Sequence, residues 1–137
     1  MNHKKLTFID TGVLIAASRG DSEQSKKAIS VLDDPSREFI SSLFVKLEVL
    51  PKAVYNKKKH EAEFYNAFFD SVSLWADDLD LIVEMANQKA SEMGLAAMDS
   101  LHLAAAISAG AEELVTTERP SKPIFRTKDI QVISIQI

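Results

Sequence analysis

The chain is 137 residues long, the size of one compact domain, and its 46% hydrophobic content supplies a real core and excludes a disordered chain. It has no cysteine, which excludes disulfides, thiol nucleophiles and zinc–thiolate sites and suits a reducing cytoplasm. With 16 basic and 20 acidic residues its net charge is −4, so its overall field does not attract nucleic acid without a local basic face or a bound divalent cation.

Lys4 and Lys5 precede a short apolar run, residues 6–9, which reads as a buried strand closed by Asp10 and is too short for a signal peptide or a membrane span. Residues 11–17 turn into a helix ended by Arg19-Gly20. Asp21 or Ser22 caps a second helix with Ala28, Ile29, Val31 and Leu32 on its apolar side. Asp33-Asp34-Pro35-Ser36 is a turn, and residues 38–40 form a second strand. Ser41-Ser42 offers an N-cap to a helix over residues 43–54, bent at Pro51. Asn56 is expected to cap a long helix from the Lys57-Lys58-Lys59-His60 cluster to about Asp70, lined by Phe64, Tyr65, Phe68 and Phe69. The basic cluster itself reads as a solvated helix end. Residues 72–75 suggest a short strand. Asp77, Asp78 or Asp80 begins a helix with Leu79, Ile82, Val83, Ala86 and Ala90 on one face, ended by Gly94. A helix almost without a polar face runs from Asp99 to Gly110 and must be buried on most sides. Residues 113–116 are a strand, residues 117–123 a loop, and residues 132–135 the last strand. Strands alternating with helices predict an α/β fold: a three-layer sandwich with a mainly parallel central sheet, in a single domain over residues 1–137.

Three carboxylates stand in apolar settings: Asp10 after Leu6-Thr7-Phe8-Ile9, Glu48 among Phe44, Val45, Leu47, Val49 and Leu50, and Asp99 at the start of the buried helix. Taken alone, Asp99 is a helix cap facing free N–H groups and the positive end of the dipole. Taken together, buried acids are costly unless paired or bound to a metal. Glu118 follows the strand of residues 113–116 as a fourth acid. Strand ends and helix starts converge on one edge of a right-handed α/β sheet. An oxygen-only donor set without cysteine suits Mg²⁺ or Mn²⁺, ions that neutralise phosphate and activate water. Thr11, Ser42 and Thr116 could hydrogen-bond the acids or a metal-bound water, or serve as plain caps and turn residues. His102, one turn after Asp99, reads as a satisfied semi-buried histidine, with proton transfer as its functional alternative. Arg19, Arg119 and Arg126 are loop cations that could meet phosphate.

These residues carry a resemblance. Phe8-Ile9-Asp10-Thr11-Gly12-Val13-Leu14-Ile15 resembles the first motif of PIN domains, Ser41-Ser42-Leu43-Phe44-Val45-Lys46-Leu47-Glu48-Val49-Leu50 the second, Asp99-Ser100-Leu101-His102-Leu103-Ala104-Ala105-Ala106 the third, and Leu114-Val115-Thr116-Thr117-Glu118 the fourth. The four stand in order and span most of the chain. The resemblance implies the PIN fold and a Mg²⁺- or Mn²⁺-dependent endoribonuclease, similar in size to VapC-type toxins of type II toxin–antitoxin pairs. It implies a metal site of Asp10, Glu48, Asp99 and Glu118, RNA as substrate, products with 5′-phosphate and 3′-hydroxyl, an antitoxin partner, a homodimer and a cytoplasmic location without membrane attachment.

Two positions depart from the family pattern. Residue 12 is Gly where many members carry Asn or Ser. The fourth acid is Glu118 rather than Asp, and the added methylene moves its carboxylate by roughly 1 Å against a positional tolerance of about 0.5 Å. Glu118 then acts through a water, or is a loop residue with no metal role. The alternative function is a PIN-fold module that binds RNA or a protein without turnover. A phosphatase or phosphoacceptor with Asp10 as nucleophile ranks lower, since Asp10-Thr11-Gly12 lacks the second Asp of such phosphatases and no acidic pair precedes it.

Overall fold

The computed structural model describes residues 3–137 and runs β1 (Lys5–Ile9), α1 (Thr11–Arg19), α2 (Glu23–Leu32), β2 (Arg37–Ser42), α3 (Leu43–Tyr55), α4 (Lys59–Ser71), β3 (Leu74–Ala76), α5 (Leu79–Met93), α6 (Ala97–Ser108), β4 (Glu113–Thr116) and β5 (Gln131–Ser134). The strands form one sheet in the order β3-β2-β1-β4-β5, and every neighbouring pair is parallel. From β1 the chain steps outward to β2 and β3, then returns across the sheet to β4 and β5. Right-handed crossovers in opposite directions place their helices on opposite faces, which makes three layers. The place where the direction reverses, between β1 and β4, opens a crevice at the C-terminal ends of those strands.

The core follows from composition. Phe8, Ile9, Ile40, Leu114 and Val115 of the sheet, and Val13, Leu14, Val45, Ile82 and Leu103 of the helices, are fully buried. Such near-continuous apolar strands belong to a parallel sheet covered on both faces. In α6, Ala104, Ala105 and Ala106 are also fully buried, so the helix rests with its backbone close to its neighbours. Truncating Leu103 to Ala would open a cavity there and cost about 3 kcal/mol.

Boundaries moved in three places. The third strand is Leu74–Ala76 rather than residues 72–75, because Val72 ends α4 with its N–H on the Phe69 carbonyl. Asn56 does not open α4; it closes α3, donating its N–H to the Lys52 carbonyl while the Lys57 N–H takes the Val54 carbonyl. α3 itself continues through Pro51. The expected loop of residues 117–123 runs into a 3₁₀ turn at Pro123–Arg126.

The N-terminal edge of the sheet holds a charge the sequence did not announce. Glu113, 1% exposed, accepts from Arg37 Nε at 2.7 Å and from Thr7 Oγ1 at 2.7 Å. A buried carboxylate held by a guanidinium and a hydroxyl is a tolerable structural pair, since each partner offsets the other's desolvation. It lies at the edge opposite the crevice.

Candidate active site

Asp10 is the first residue after β1 and the N-cap of α1, and it is 7% exposed. Its Oδ1 accepts the Thr11 N–H at 2.9 Å, and its Oδ2 accepts the Thr116 hydroxyl at 2.7 Å. That second bond spans the crevice from β1 to β4. Thr116 Oγ1 in turn accepts the Glu118 N–H at 3.1 Å, so one hydroxyl orients the first acid and shapes the turn that carries the fourth.

Glu48 corrects an expectation. It is not buried in an apolar band; it stands on an exposed face of α3, with its side chain 34% exposed. The helix turns Val45, Val49 and Ala53 inward instead. Glu48 Oε1 accepts the Thr11 hydroxyl at 2.8 Å and lies 2.5 Å from His102 Nε2. His102 is 2% exposed, and its Nδ1 is buried without a partner. The tautomer that fits carries its proton on Nε2, donating to Glu48, because a proton on Nδ1 would be an orphaned buried donor. Ser42 takes its plain reading: its Oγ accepts the Val45 N–H at 3.3 Å as the N-cap of α3.

Asp99 is the second correction. α6 begins at Ala97 with Ala96 at its N-cap, so Asp99 sits in the first turn and makes no capping bond. Its carboxyl is half-buried and is held above the ordinary aspartate range, first by burial, then by the negative charges of Asp10 and Glu118. Glu48 adds a smaller repulsion of the same sign. Three acids thus act by their charge on a fourth. Glu118 is fixed by its backbone, its N–H on Thr116 and its carbonyl accepting the Ser134 hydroxyl at 2.6 Å.

The acids are not closed on one another. Among the described residues, no three His, Asp or Glu side chains form a ready-made metal cage. Mg²⁺ does not require one, since it keeps several waters and takes one or two carboxylates. A half-buried carboxylate pressed by like charges, with no cation bonded to it among the described residues, fits such an ion.

Gly12 has a local reason. A Cβ built there would lie 2.2 Å from Thr117 Oγ1, so the space a side chain would fill is taken by a hydroxyl from the turn after β4. Sequence reading gave no sign of this contact, nor of the His102–Glu48 contact; the only signal for the latter was the three-residue spacing that puts Asp99 and His102 on one helix face. Of the three arginines expected in loops, Arg19 ends α1 and lines a cavity with Glu48, Arg126 ends the 3₁₀ turn and donates to the Met93 carbonyl at 3.1 Å, and Arg119 alone is an exposed loop residue. Among the described residues, no helix is long and apolar enough to cross a membrane.

The family model for the PIN domain matches residues 7–120. Solved structures share the fold. A toxin–antitoxin complex from Klebsiella pneumoniae matches with a TM-score of 0.70 at 22% identity, covering 96% of this chain and 99% of that one. DNA-bound VapBC from Salmonella typhimurium matches with a TM-score of 0.70 at 16% identity, over 96% and 98% of the two chains. VapBC2 from Rickettsia felis, bound to a DNA fragment from its promoter, matches with a TM-score of 0.69 at 16% identity, over 94% and 98%. Comparison with curated proteins gave no match.

Proposed function

We propose that this chain, which belongs to the PIN domain family, is a Mg²⁺- or Mn²⁺-dependent endoribonuclease and the toxin of a type II toxin–antitoxin pair. The observation that carries this reading is Asp99: a half-buried carboxylate without a bonded cation among the described residues, pressed by the charges of Asp10, Glu118 and Glu48. Asp10 and Asp99 would hold the ion directly, with Glu48 and Glu118 reaching it directly or through water. The bound ion would supply charge neutralisation at the scissile phosphate and an activated water.

The chain's own groups prepare this chemistry. Thr116 and the Thr11 N–H hold both oxygens of Asp10, so its carboxylate enters with little freedom to lose. Thr11 and His102 both hold Oε1 of Glu48. Glu118, on a turn braced by Thr116 and Ser134, would orient the attacking water. The substrate would be RNA, cut to leave 5′-phosphate and 3′-hydroxyl ends.

The similar structures from Klebsiella pneumoniae, Salmonella typhimurium and Rickettsia felis are toxin–antitoxin complexes, which supports an antitoxin as partner and a cytoplasmic setting. Leu43, Leu47 and Val54, exposed along α3, support a protein partner, whether antitoxin or a second copy in a homodimer. A binding module without turnover is the second reading, favoured by the open, unclosed acid set. The deciding experiment is cleavage of defined RNAs by the purified protein with Mg²⁺, Mn²⁺ or chelator, beside Asp99→Asn. Metal-dependent cleavage lost in Asp99→Asn is expected. Wild-type turnover in that variant overturns the site assignment, and no cleavage by wild type under any metal favours the binding module.

A further inference from the structure

Two side-chain rows lead away from the acids. Thr11, Ile15 and Arg19 repeat at four-residue spacing along α1, and Glu48, Lys52 and Asn56 do so along α3 and its C-cap. The Thr11–Glu48 hydrogen bond of 2.8 Å joins the rows at the site. Beyond it, α1, α3 and α4 enclose a groove of about 370 Å³ lined by Arg19, Lys52, Lys58, Glu61 and Tyr65, with Glu48 in its wall. Arg19 lies eight residues along α1 from Thr11, about 12 Å at the helical rise.

Among the described residues, Arg19, Lys52 and Lys58 take part in no ion pair, whereas Lys5, Lys26, Arg37 and Lys89 do. Lys58 is also placed against its own helix. It stands at the N-cap of α4, gives no side-chain cap there, and puts a cation near the positive end of the dipole. Its side chain therefore gives the helix no cap. Tyr65 forms the floor at 3% exposure, and burial raises its phenol, so it remains a neutral wall. Glu61 is the one acid in the groove apart from Glu48. In a chain of net charge −4, three unpaired cations facing one groove beside a nuclease site are the local basic face an RNA strand requires.

Resting on the nuclease reading, we infer that this groove is the backbone subsite for single-stranded RNA: Arg19, Lys52 and Lys58 bind successive phosphates of the strand whose scissile phosphate lies at the acids. Contacts of this kind set register and carry no base preference.

The test is binding of a fluorescein-labelled 12-mer oligouridylate, by anisotropy across a salt series, with chelator present so that the RNA stays intact. Each lost phosphate contact lowers the slope of log K against log salt by about 0.7 for a single strand. Arg19→Gln, Lys52→Gln and Lys58→Gln combined should reduce the slope by about two and weaken binding more than tenfold. Lys4→Gln, exposed next to the start of β1 at the opposite sheet edge, should change neither. An unchanged slope in the triple variant, or an equal loss in Lys4→Gln, overturns the assignment. If the triple variant keeps RNA binding but loses binding of a polyglutamate peptide, the groove belongs to an acidic protein segment and the inference is wrong. Cleavage by wild type with Mn²⁺ is measured separately: its absence defeats the nuclease reading, while the salt slope still judges the groove.

Discussion

His102 Nε2 meets Glu48 Oε1 at 2.5 Å, so a buried residue of α6 holds an exposed acid of α3 across the crevice. The second bond to Glu48, from Thr11, comes from α1. Three helices thereby fix one carboxylate oxygen.

Replacing His102 by Leu should free Glu48 while keeping the volume of the pocket filled. Loss of a residue that orients a metal ligand typically costs 10–100-fold in metal affinity or activity. We expect single-turnover cleavage at saturating Mn²⁺ to slow by about tenfold or more and the apparent Mn²⁺ affinity to fall. His102→Gln, which can still donate, should recover part of both. A Leu variant with wild-type rate and affinity would show that Glu48 needs no such support.

Asp99 makes the metal-free protein pH-sensitive in a known direction. Its folded pKa is raised above the ordinary 3.8, so the native state binds this proton more tightly than the unfolded state. Stability from this group is then highest in acid and declines as pH rises from about 3.8 through the raised folded value. Asp99→Asn removes that penalty. In chelator, the variant should melt higher than wild type at neutral pH, and the gap should close on acidification. Added Mn²⁺ should raise the melting temperature of wild type and act little on the variant. A variant that melts lower than wild type at neutral pH in chelator would contradict the repulsion argument.

Glu118 is held by its backbone to Thr116 and Ser134, while its charge acts on Asp99. If that charge positions the attacking water, Glu118→Ala should slow cleavage by about a hundredfold, equivalent to roughly 2.7 kcal/mol of barrier. Glu118→Asp should match or exceed the natural residue, giving the order Asp ≥ Glu > Ala in single-turnover assays. Equal rates for Glu and Ala would leave a site of three carboxylates. Cleavage by Asp alone would mark the natural protein as a binding module.

Gly12 and Thr117 should be energetically coupled. A Cβ at residue 12 meets Thr117 Oγ1 at 2.2 Å but Thr117 Cβ only at 3.4 Å. Gly12→Ala should therefore destabilise by about 1–3 kcal/mol, the range for overpacking. In Thr117→Ala the hydroxyl is gone, and adding Gly12→Ala should cost little. Denaturant unfolding of the four proteins closes the cycle, and additive effects would show that the turn simply moves aside.

Much of this protein was written in local pattern. The apolar run before Asp10, the cap at Ser42 and the largely apolar helix of Leu101 to Ala106 follow from neighbours in sequence, and alternation of strands and helices implied a parallel sheet. Asp10, Glu48, Asp99 and Glu118 stood out because charged groups beside apolar runs are conspicuous, and the charges of the other three do bear on Asp99, although Glu48 is exposed. Local pattern failed where two chemistries look alike at short range. Asn56 is as good a C-cap as an N-cap, and only the end of α3 chose. Asp99 at a helix start resembles a cap, and only Ala96 in the capping position showed otherwise. Glu113 resembles an ordinary strand-end acid until Arg37 is brought to it. The contacts that shape the site join residues far apart in the chain: Glu48 with His102, Asp10 with Thr116, and Gly12 with Thr117. No periodicity encodes these contacts. They exist because the crossing from β3 back to β4 lays the turn after β4 beside the end of β1, and α6 against α3, so the tertiary structure alone decided which polar atoms meet.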